Sequence, residues 1–222
     1  TFGNPASRHH AFGWAARDAV EKARKQVSRL VGCDPREVVF TSGATESNNL
    51  AIKGCLTAAG RKAHIVTAST EHRAVLDPCR RLECDGVRVT YVRPRGDGLL
   101  DLEEIEQALT PETVLLTVMT ANNEIGTVQP MSEIVNIAHA HNAVVHTDAV
   151  QALSKVKVNI EETPVDLFSA TAHKLGGPVG IGILYCRPGI RLEPLSYGGD
   201  QERSMWPGTQ NPLGAIGFAT AL

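Results

Sequence analysis

The hydrophobic positions of this 222-residue chain change repeatedly between a helical and a strand-like spacing. Over 17–30, apolar residues recur every three or four positions, which is the period of a helix with one buried face. Short β-branched runs, such as Val38-Val39-Phe40-Thr41, indicate buried strands. The pattern predicts helices over 17–30, 45–59, 74–84, 102–109 and 131–141, and strands over 38–41, 65–67, 87–92, 114–119, 143–146, 167–170 and 181–185.

This order of elements predicts a layered α/β fold. Strands that alternate with helices favour a mostly parallel sheet, because each helix returns the chain to the end where the previous strand began. The last two strands, 167–170 and 181–185, are joined by a short Gly-rich link that permits only antiparallel pairing. We therefore predict a three-layer α/β/α domain with a mixed, mostly parallel sheet.

Composition narrows the class of protein. The chain is 42% hydrophobic and 21% charged, its formal net charge is −2, and no apolar run approaches the roughly 20 residues of a membrane span. We expect neither a nucleic-acid nor a membrane partner. The five cysteines are scattered and odd in number, which is typical of reduced cytoplasmic thiols. None forms a CxxC motif, so no metal site is expected.

Two strand ends carry residues suited to aldehyde chemistry. Lys174 follows the apolar positions near Phe168 and precedes a Gly-Gly-Pro turn, where partial desolvation would favour a Schiff base. Taken alone, Lys174 is more simply explained as a solvated surface lysine. Asp148 ends another strand, and a lysine with a carboxylate for a pyridinium nitrogen is what a pyridoxal phosphate (PLP) enzyme needs.

Three further loops follow predicted strands with polar residues. The segment 41–47 joins a strand to a helix start, where free amides and hydroxyls favour a phosphate, although a plain Ser/Thr N-cap explains it equally well. Thr70-Glu71-His72 and Asn122-Asn123-Glu124 follow two other strands, and either could be an ordinary turn. Ligands bind at the carboxyl ends of parallel strands, so the joint pattern predicts one site.

These motifs resemble those of cysteine desulfurases of the aminotransferase class V family, PLP enzymes that take sulfur from cysteine. The matching segments follow in family order across nearly the whole chain. They are Gly3-Asn4-Pro5-Ala6-Ser7, Phe40-Thr41-Ser42-Gly43-Ala44-Thr45-Glu46-Ser47-Asn48-Asn49, Thr70-Glu71-His72, Asn122-Asn123-Glu124-Ile125-Gly126, His146-Thr147-Asp148-Ala149-Val150-Gln151 and Ala172-His173-Lys174.

The resemblance implies roles around the cofactor ring. Lys174 would hold PLP and shuttle protons, and His72 would stack on the ring, so these two are the catalytic residues. Asp148 would pair with the protonated pyridine nitrogen. Gln151 would bind the phenolic oxygen of the ring, and Asn123 would lie near the same edge and help orient the substrate.

The resemblance also implies a phosphate site. Ala44, Thr45, Thr171 and His173 would hold the phosphate of their own subunit. Thr209 would reach the phosphate of the neighbouring subunit in a homodimer, although the preceding Trp206-Pro207 departs from the basic and small residues usual there.

By resemblance, residues 1–222 form the PLP-binding large domain of a fold-type I enzyme, without the family's N-terminal segment and C-terminal small domain. The small domain carries the nucleophilic cysteine and the substrate-binding arginine. The implied reaction converts L-cysteine to L-alanine and passes sulfur as a persulfide to an acceptor protein, for iron–sulfur clusters or tRNA thiolation. Selenocysteine lyase, another class V enzyme and an inactive cofactor-domain fragment remain the alternatives.

Overall fold

The computed structural model describes residues 3–59, 63–153, 155–156 and 158–222. Its core is one seven-stranded sheet. The strands are β1 (Val38–Thr41), β2 (His64–Ala68), β3 (Arg88–Val92), β4 (Thr113–Thr117), β5 (Val144–Asp148), β6 (Leu167–Thr171) and β7 (Gly182–Cys186). Their order across the sheet is β1-β7-β6-β5-β4-β2-β3.

Strand direction agrees with the prediction from the sequence. The five strands β3, β2, β4, β5 and β6 run parallel to one another. β7 pairs antiparallel with both β6 and β1, with Phe168 opposite Tyr185. The two rings stack with centroids 5.5 Å apart. The mixed, mostly parallel sheet is therefore confirmed.

Helices cover both faces of the sheet and complete the three predicted layers. They are α1 (Ala11–Val31), α2 (Ala44–Ala59), α3 (Arg73–Cys84), α4 (Leu102–Ala108), α5 (Met131–Ala140) and α6 (Pro212–Ala221). Leu115 and Leu167 point to the face covered by α2 and α3, while the next residues, Leu116 and Phe168, point to the other helices. This alternation follows from the two-residue period of a strand. Within the described residues, no helix has the length and apolar character needed to cross a bilayer.

Two helices differ from the sequence prediction. α1 begins at Ala11 rather than at residue 17, because the His10 side chain caps it by accepting a hydrogen bond from the Gly13 amide at 3.1 Å. The exposed Phe12 and Trp14 in its first turn obscure the helical pattern. α6 was not predicted, because its own apolar residues lie on all faces of the helix and show no helical period.

Candidate active site

A cavity of about 480 Å³ lies beyond the carboxyl ends of the parallel strands. Every site residue predicted from the sequence lines it except Thr209. Those lining it are Ala44, Thr45, His72, Asn123, Asp148, Gln151, Thr171, His173 and Lys174. They come from segments far apart in the chain, and the sheet brings them together because each residue ends or follows a strand whose carboxyl end lies at the same edge.

Asp148 is the last residue of β5 and forms the buried floor of this cavity. Its two carboxylate oxygens accept hydrogen bonds from the Val150 amide at 3.0 Å and from Asn48 Nδ2 at 2.8 Å. Burial raises the pKa of Asp148, and the two donors and the nearby His72 oppose that rise. The carboxylate is thus fixed in place, and a cationic partner in the cavity would be strongly favoured.

The N-terminus of α2 forms an anion-binding end of the cavity. In the first turn of α2, the amides of Glu46 and Ser47 donate hydrogen bonds to the Gly43 carbonyl at 3.1 and 3.0 Å. Within the described residues, this leaves the amides of Ala44 and Thr45 without a partner in the helix. Free amides together with the helix dipole favour a phosphate at this position.

Gly182 brings this turn close to β6. A Cβ atom at position 182 would lie 2.6 Å from Gly43 Cα and 2.8 Å from the Ala170 carbonyl oxygen. Because only a glycine fits there, the turn before α2 can pack against β7 beside Thr171. The two predicted parts of the phosphate site, on α2 and after β6, are therefore neighbours.

Lys174 lies on a short 3₁₀ turn, Ala172–Leu175, which follows β6 directly. Thr171 Oγ1 donates to the Ile181 carbonyl at 3.1 Å and lies 3.0 Å from His173 Nδ1, which links the turn to the residue just before β7. Both Lys174 and His173 line the cavity but are exposed. The partial desolvation expected for Lys174 is therefore not provided by the described residues.

His72 lines the cavity from the start of α3. It caps this helix, because its Nδ1 accepts a hydrogen bond from the Ala74 amide at 3.0 Å. In a neutral ring the proton is then on Nε2, and the plane of the imidazole is fixed. A ring held in this way can stack on a flat ligand between the strand ends.

Glu71 and Asn122 join the loop of His72 to the loop of Asn123. Glu71 Oε1 accepts a hydrogen bond from the Met119 amide at 2.7 Å, and Asn122 Nδ2 donates to the Thr70 carbonyl at 3.0 Å. The remaining oxygen of Glu71 is buried and has no partner in the described chain. Burial therefore raises the pKa of Glu71 well above its ordinary value.

A second polar layer lies beneath the cavity. Buried His146 bridges three strands, with Nδ1 2.8 Å from Thr117 Oγ1 and Nε2 3.0 Å from Ser169 Oγ. Burial lowers the pKa of His146 to about 3, so the ring is neutral. It lies two residues before Asp148 on the same strand, so the two side chains are on the same face of the sheet.

Sequence reasoning assigned no role to Asn48 or Glu71. Both lie inside the quoted motifs, but their contacts come from far along the chain. For Asn48, the sequence offers one indication of a role: it is a polar residue on the buried face of α2. Its Oδ1 is buried without a partner in the described chain, beside the ligand cavity.

This fold, with a lysine, a buried carboxylate and a helix N-terminus around one cavity, is typical of PLP-dependent enzymes. The chain belongs to the aminotransferase class-V family, whose sequence profile matches residues 1–222. The family predicted from the motifs is thereby confirmed.

Comparison with known proteins supports this assignment to the family. The chain is 53% identical to the cysteine desulfurase IscS of Haemophilus influenzae, over 100% of this chain and 55% of that protein. Among solved structures, it is similar to a NifS-like protein, with a TM-score of 0.96, 42% identity and coverage of 99% and 61% of the two chains. It is also similar to SspA in complex with cysteine, with a TM-score of 0.95, 40% identity and coverage of 99% and 64%. The chain spans about half the length of the curated relative.

Proposed function

We propose that this chain binds PLP in the cavity and forms the cofactor-binding large domain of a cysteine desulfurase. The observation that carries the proposal is that Asp148, Lys174 and the N-terminus of α2 converge on one cavity. The similarity to cysteine desulfurases, and to a protein whose structure was determined with cysteine, supports L-cysteine as the substrate. The overall reaction takes L-cysteine and a thiol to L-alanine and a persulfide.

The residues of the cavity fit PLP at both ends of the molecule. The amides of Ala44 and Thr45, with Thr171 and His173, are a donor set for the phosphate. Buried Asp148 offers a carboxylate for the pyridine nitrogen. When bound, PLP supplies an electron sink that stabilises negative charge at the substrate Cα.

The other side chains have separate tasks in this proposal. Lys174 Nζ would move the proton at the substrate Cα, and Asp148 would keep a proton on the ring nitrogen. His72 would orient the ring. Gln151 and Asn123 line the same cavity, and they orient the phenolic edge of the ring and the substrate.

Thr209 has a different place in the proposal. It is exposed and does not line the cavity of its own chain. This supports a homodimer in which Thr209 completes the phosphate site of the partner. Light scattering on the complete protein tests the idea, since a monomer that binds PLP tightly would contradict it.

The partners and compartment also belong to the proposal. All five thiols are free, which supports a reducing cytoplasm. Sulfur would leave as a persulfide to an acceptor protein that serves iron–sulfur cluster assembly or tRNA thiolation. Purified candidate acceptors, incubated with radiolabelled cysteine and the complete protein, would show which of them receives the label.

The central experiment identifies the lysine that binds PLP. After reconstitution with PLP and borohydride reduction, peptide mapping should find the pyridoxyl group on Lys174. Lys174→Ala should lose the label. Lys22→Ala, at an exposed position paired with Asp18 on α1, should keep it. A label on another lysine that persists in Lys174→Ala would overturn the assignment.

A further inference from the structure

A buried ion pair whose two residues do not line the cavity joins parts of the chain that are 178 residues apart. Arg24 on α1 contacts both carboxylate oxygens of Glu202, with Nη1–Oε2 and Nη2–Oε1 distances of 2.7 Å. The Glu202 side chain is fully buried and that of Arg24 is 4% exposed. The guanidinium carbon also lies 4.9 Å from the centre of the Phe40 ring. A bidentate, desolvated contact of this kind is specific in geometry.

The same carboxylate also contacts two other parts of the chain. It accepts hydrogen bonds from the Phe40 amide on β1 at 3.0 Å and from Gln210 Nε2 at 2.5 Å. Arg24 Nη1 in turn donates to the Val38 carbonyl at 2.8 Å. Glu202 and Gln210 are the two ends of a loop, so one carboxylate fixes both ends of it against α1 and β1.

The start of this loop has an unusual backbone. Glu202, Arg203 and Ser204 have φ angles of +46°, +58° and +64°, all in the left-handed region. This region is unfavourable for non-glycine residues, so three in a row persist only where surrounding contacts fix them. The contacts of Glu202 supply that constraint. A further bond, from the Gly208 amide to Gln201 Oε1 at 3.1 Å, folds the loop back on itself.

We infer that the Arg24–Glu202 pair is a clamp that positions the exposed Gly208-Thr209 segment of this loop. The inference rests on the proposed function, in which Thr209 meets the cofactor phosphate of a second copy. Glu202 is a positioning residue, because it is buried away from the cavity and acts through the loop. The clamp would thus control how tightly a neighbouring subunit holds PLP.

The clamp can be removed without leaving a lone buried charge. Removing one partner strands the other and could unfold the chain, whereas replacing both with apolar residues of similar size is often tolerated. The central variant is therefore Arg24→Met with Glu202→Leu. Gln210→Met is a milder second variant that releases only the far end of the loop. Arg36→Ala, which removes a side chain that is 86% exposed and paired with Asp34, is the matched control.

Three measurements on the complete protein separate positioning from simple stabilisation. They are the PLP dissociation constant, the melting temperature without PLP, and the hydrogen exchange, also without PLP, of the Met205 and Gly208 amides. The Met205 amide donates to the Glu202 carbonyl at 3.2 Å, so its exchange reports on the start of the loop. We expect the double variant to remain folded, to exchange these amides at least about tenfold faster and to bind PLP at least about tenfold more weakly. Gln210→Met should show smaller increases in exchange rate and smaller losses of PLP affinity. Arg36→Ala should change neither quantity.

Thr209→Ala completes the test as a double-mutant cycle. It should weaken PLP binding without faster exchange, and combining it with the loss of the clamp should add little further loss of affinity. Fully additive losses, or a folded double variant with unchanged exchange and affinity, would overturn the inference. If the double variant does not fold, the same criteria apply to Gln210→Met. Wild-type protein that binds no PLP would instead refute the proposed function, and the exchange data would still decide whether the clamp fixes the loop.

Discussion

Asp148 and Glu71 are both buried carboxyl groups near the cavity, but they receive different numbers of hydrogen bonds. Asp148 receives one donor on each oxygen, from Val150 and Asn48, which stabilises the anion. Glu71 receives one donor, from Met119, and its other oxygen has none in the described chain. We therefore expect Asp148 to act as the anion and Glu71 to remain a neutral acid.

The charge of Asp148 can be removed with little change of shape. In Asp148→Asn, Asn48 can turn its unpaired Oδ1 toward the new amide, so we expect normal folding. The PLP-loaded complete protein should lose turnover of L-cysteine by a factor of about 100 or more, which corresponds to about 2.7 kcal/mol of transition-state stabilisation. Turnover and melting temperature are compared with those of Asp77→Asn, an exposed control on α3. Activity within a few-fold of wild type would contradict the role.

Glu71 gives a prediction for stability against pH. Its pKa in the folded protein lies above the unfolded value of about 4.5, so its protonated form stabilises the fold. That contribution is complete below pH 4.5 and is lost as the pH rises through the folded pKa, by at most about 1.4 kcal/mol per pH unit. Glu71→Gln cannot ionise and can still accept from the Met119 amide, so it should lack this one contribution to the loss of stability as the pH rises.

The measurement is urea unfolding of both proteins between about pH 5 and pH 9. The two should be similar near pH 5, and Glu71→Gln should be the more stable protein near pH 9. Glu104→Gln, at an exposed position on α4, is the control and should follow wild type at every pH. An advantage of Glu71→Gln that did not grow with pH would mean that Glu71 is already charged in the native protein.

The position of the anion-binding turn before α2 depends on one close contact between the backbones of Gly43 and Gly182. Gly182 on β7 packs against Gly43, and a Cβ at 182 would lie 2.6 Å from Gly43 Cα. Backbone atoms cannot move aside as the end of a flexible side chain can. The turn and β7 must therefore separate if a methyl group is added.

We expect Gly182→Ala to lower the free energy of unfolding by about 1–3 kcal/mol, the usual cost of overpacking. It should also weaken PLP binding, because the amides of Ala44 and Thr45 move with the turn. Denaturant unfolding and PLP titration measure the two effects. Gly96→Ala is the matched control, since a Cβ there meets no atom within 4 Å among the described residues. Unchanged PLP affinity in a destabilised Gly182→Ala would separate the turn from the phosphate site.

The helices and strands that the sequence predicted well are those whose apolar residues recur with a clear period. The strands alternate between two buried faces, and α2 to α5 lie close to their predicted ranges. The polar residues at strand ends were enough to predict most of the residues that line the cavity, because the carboxyl ends of parallel strands lie at one edge of the sheet. By contrast, the contacts of Asn48 with Asp148 and of Arg24 with Glu202 join positions 100 and 178 residues apart. No local pattern carries such pairs, and the uniformly apolar α6 has no pattern at all.

The thiols of this chain are badly placed for sulfur transfer. None of its five cysteines lines the described cavity. Burial raises the pKa of Cys33, Cys55 and Cys79 to about 12 and that of Cys186 to about 11, so these thiols are almost entirely protonated at neutral pH. Cys84 is exposed but lies at the far end of α3 from His72. A desulfurase needs a thiolate at the substrate sulfur.

We therefore expect residues 1–222 alone to release no sulfide from L-cysteine above the background of free PLP, even when they bind the cofactor. The complete protein should release sulfide through a cysteine that lies outside these residues. Sulfide is measured with excess dithiol for both proteins, and each cysteine of the complete protein is changed to serine in turn. Cys84→Ser and Cys186→Ser should retain activity, since neither thiol reaches the cavity. Strong release by residues 1–222, or abolition by either of these two changes, would show that the nucleophile lies within this chain.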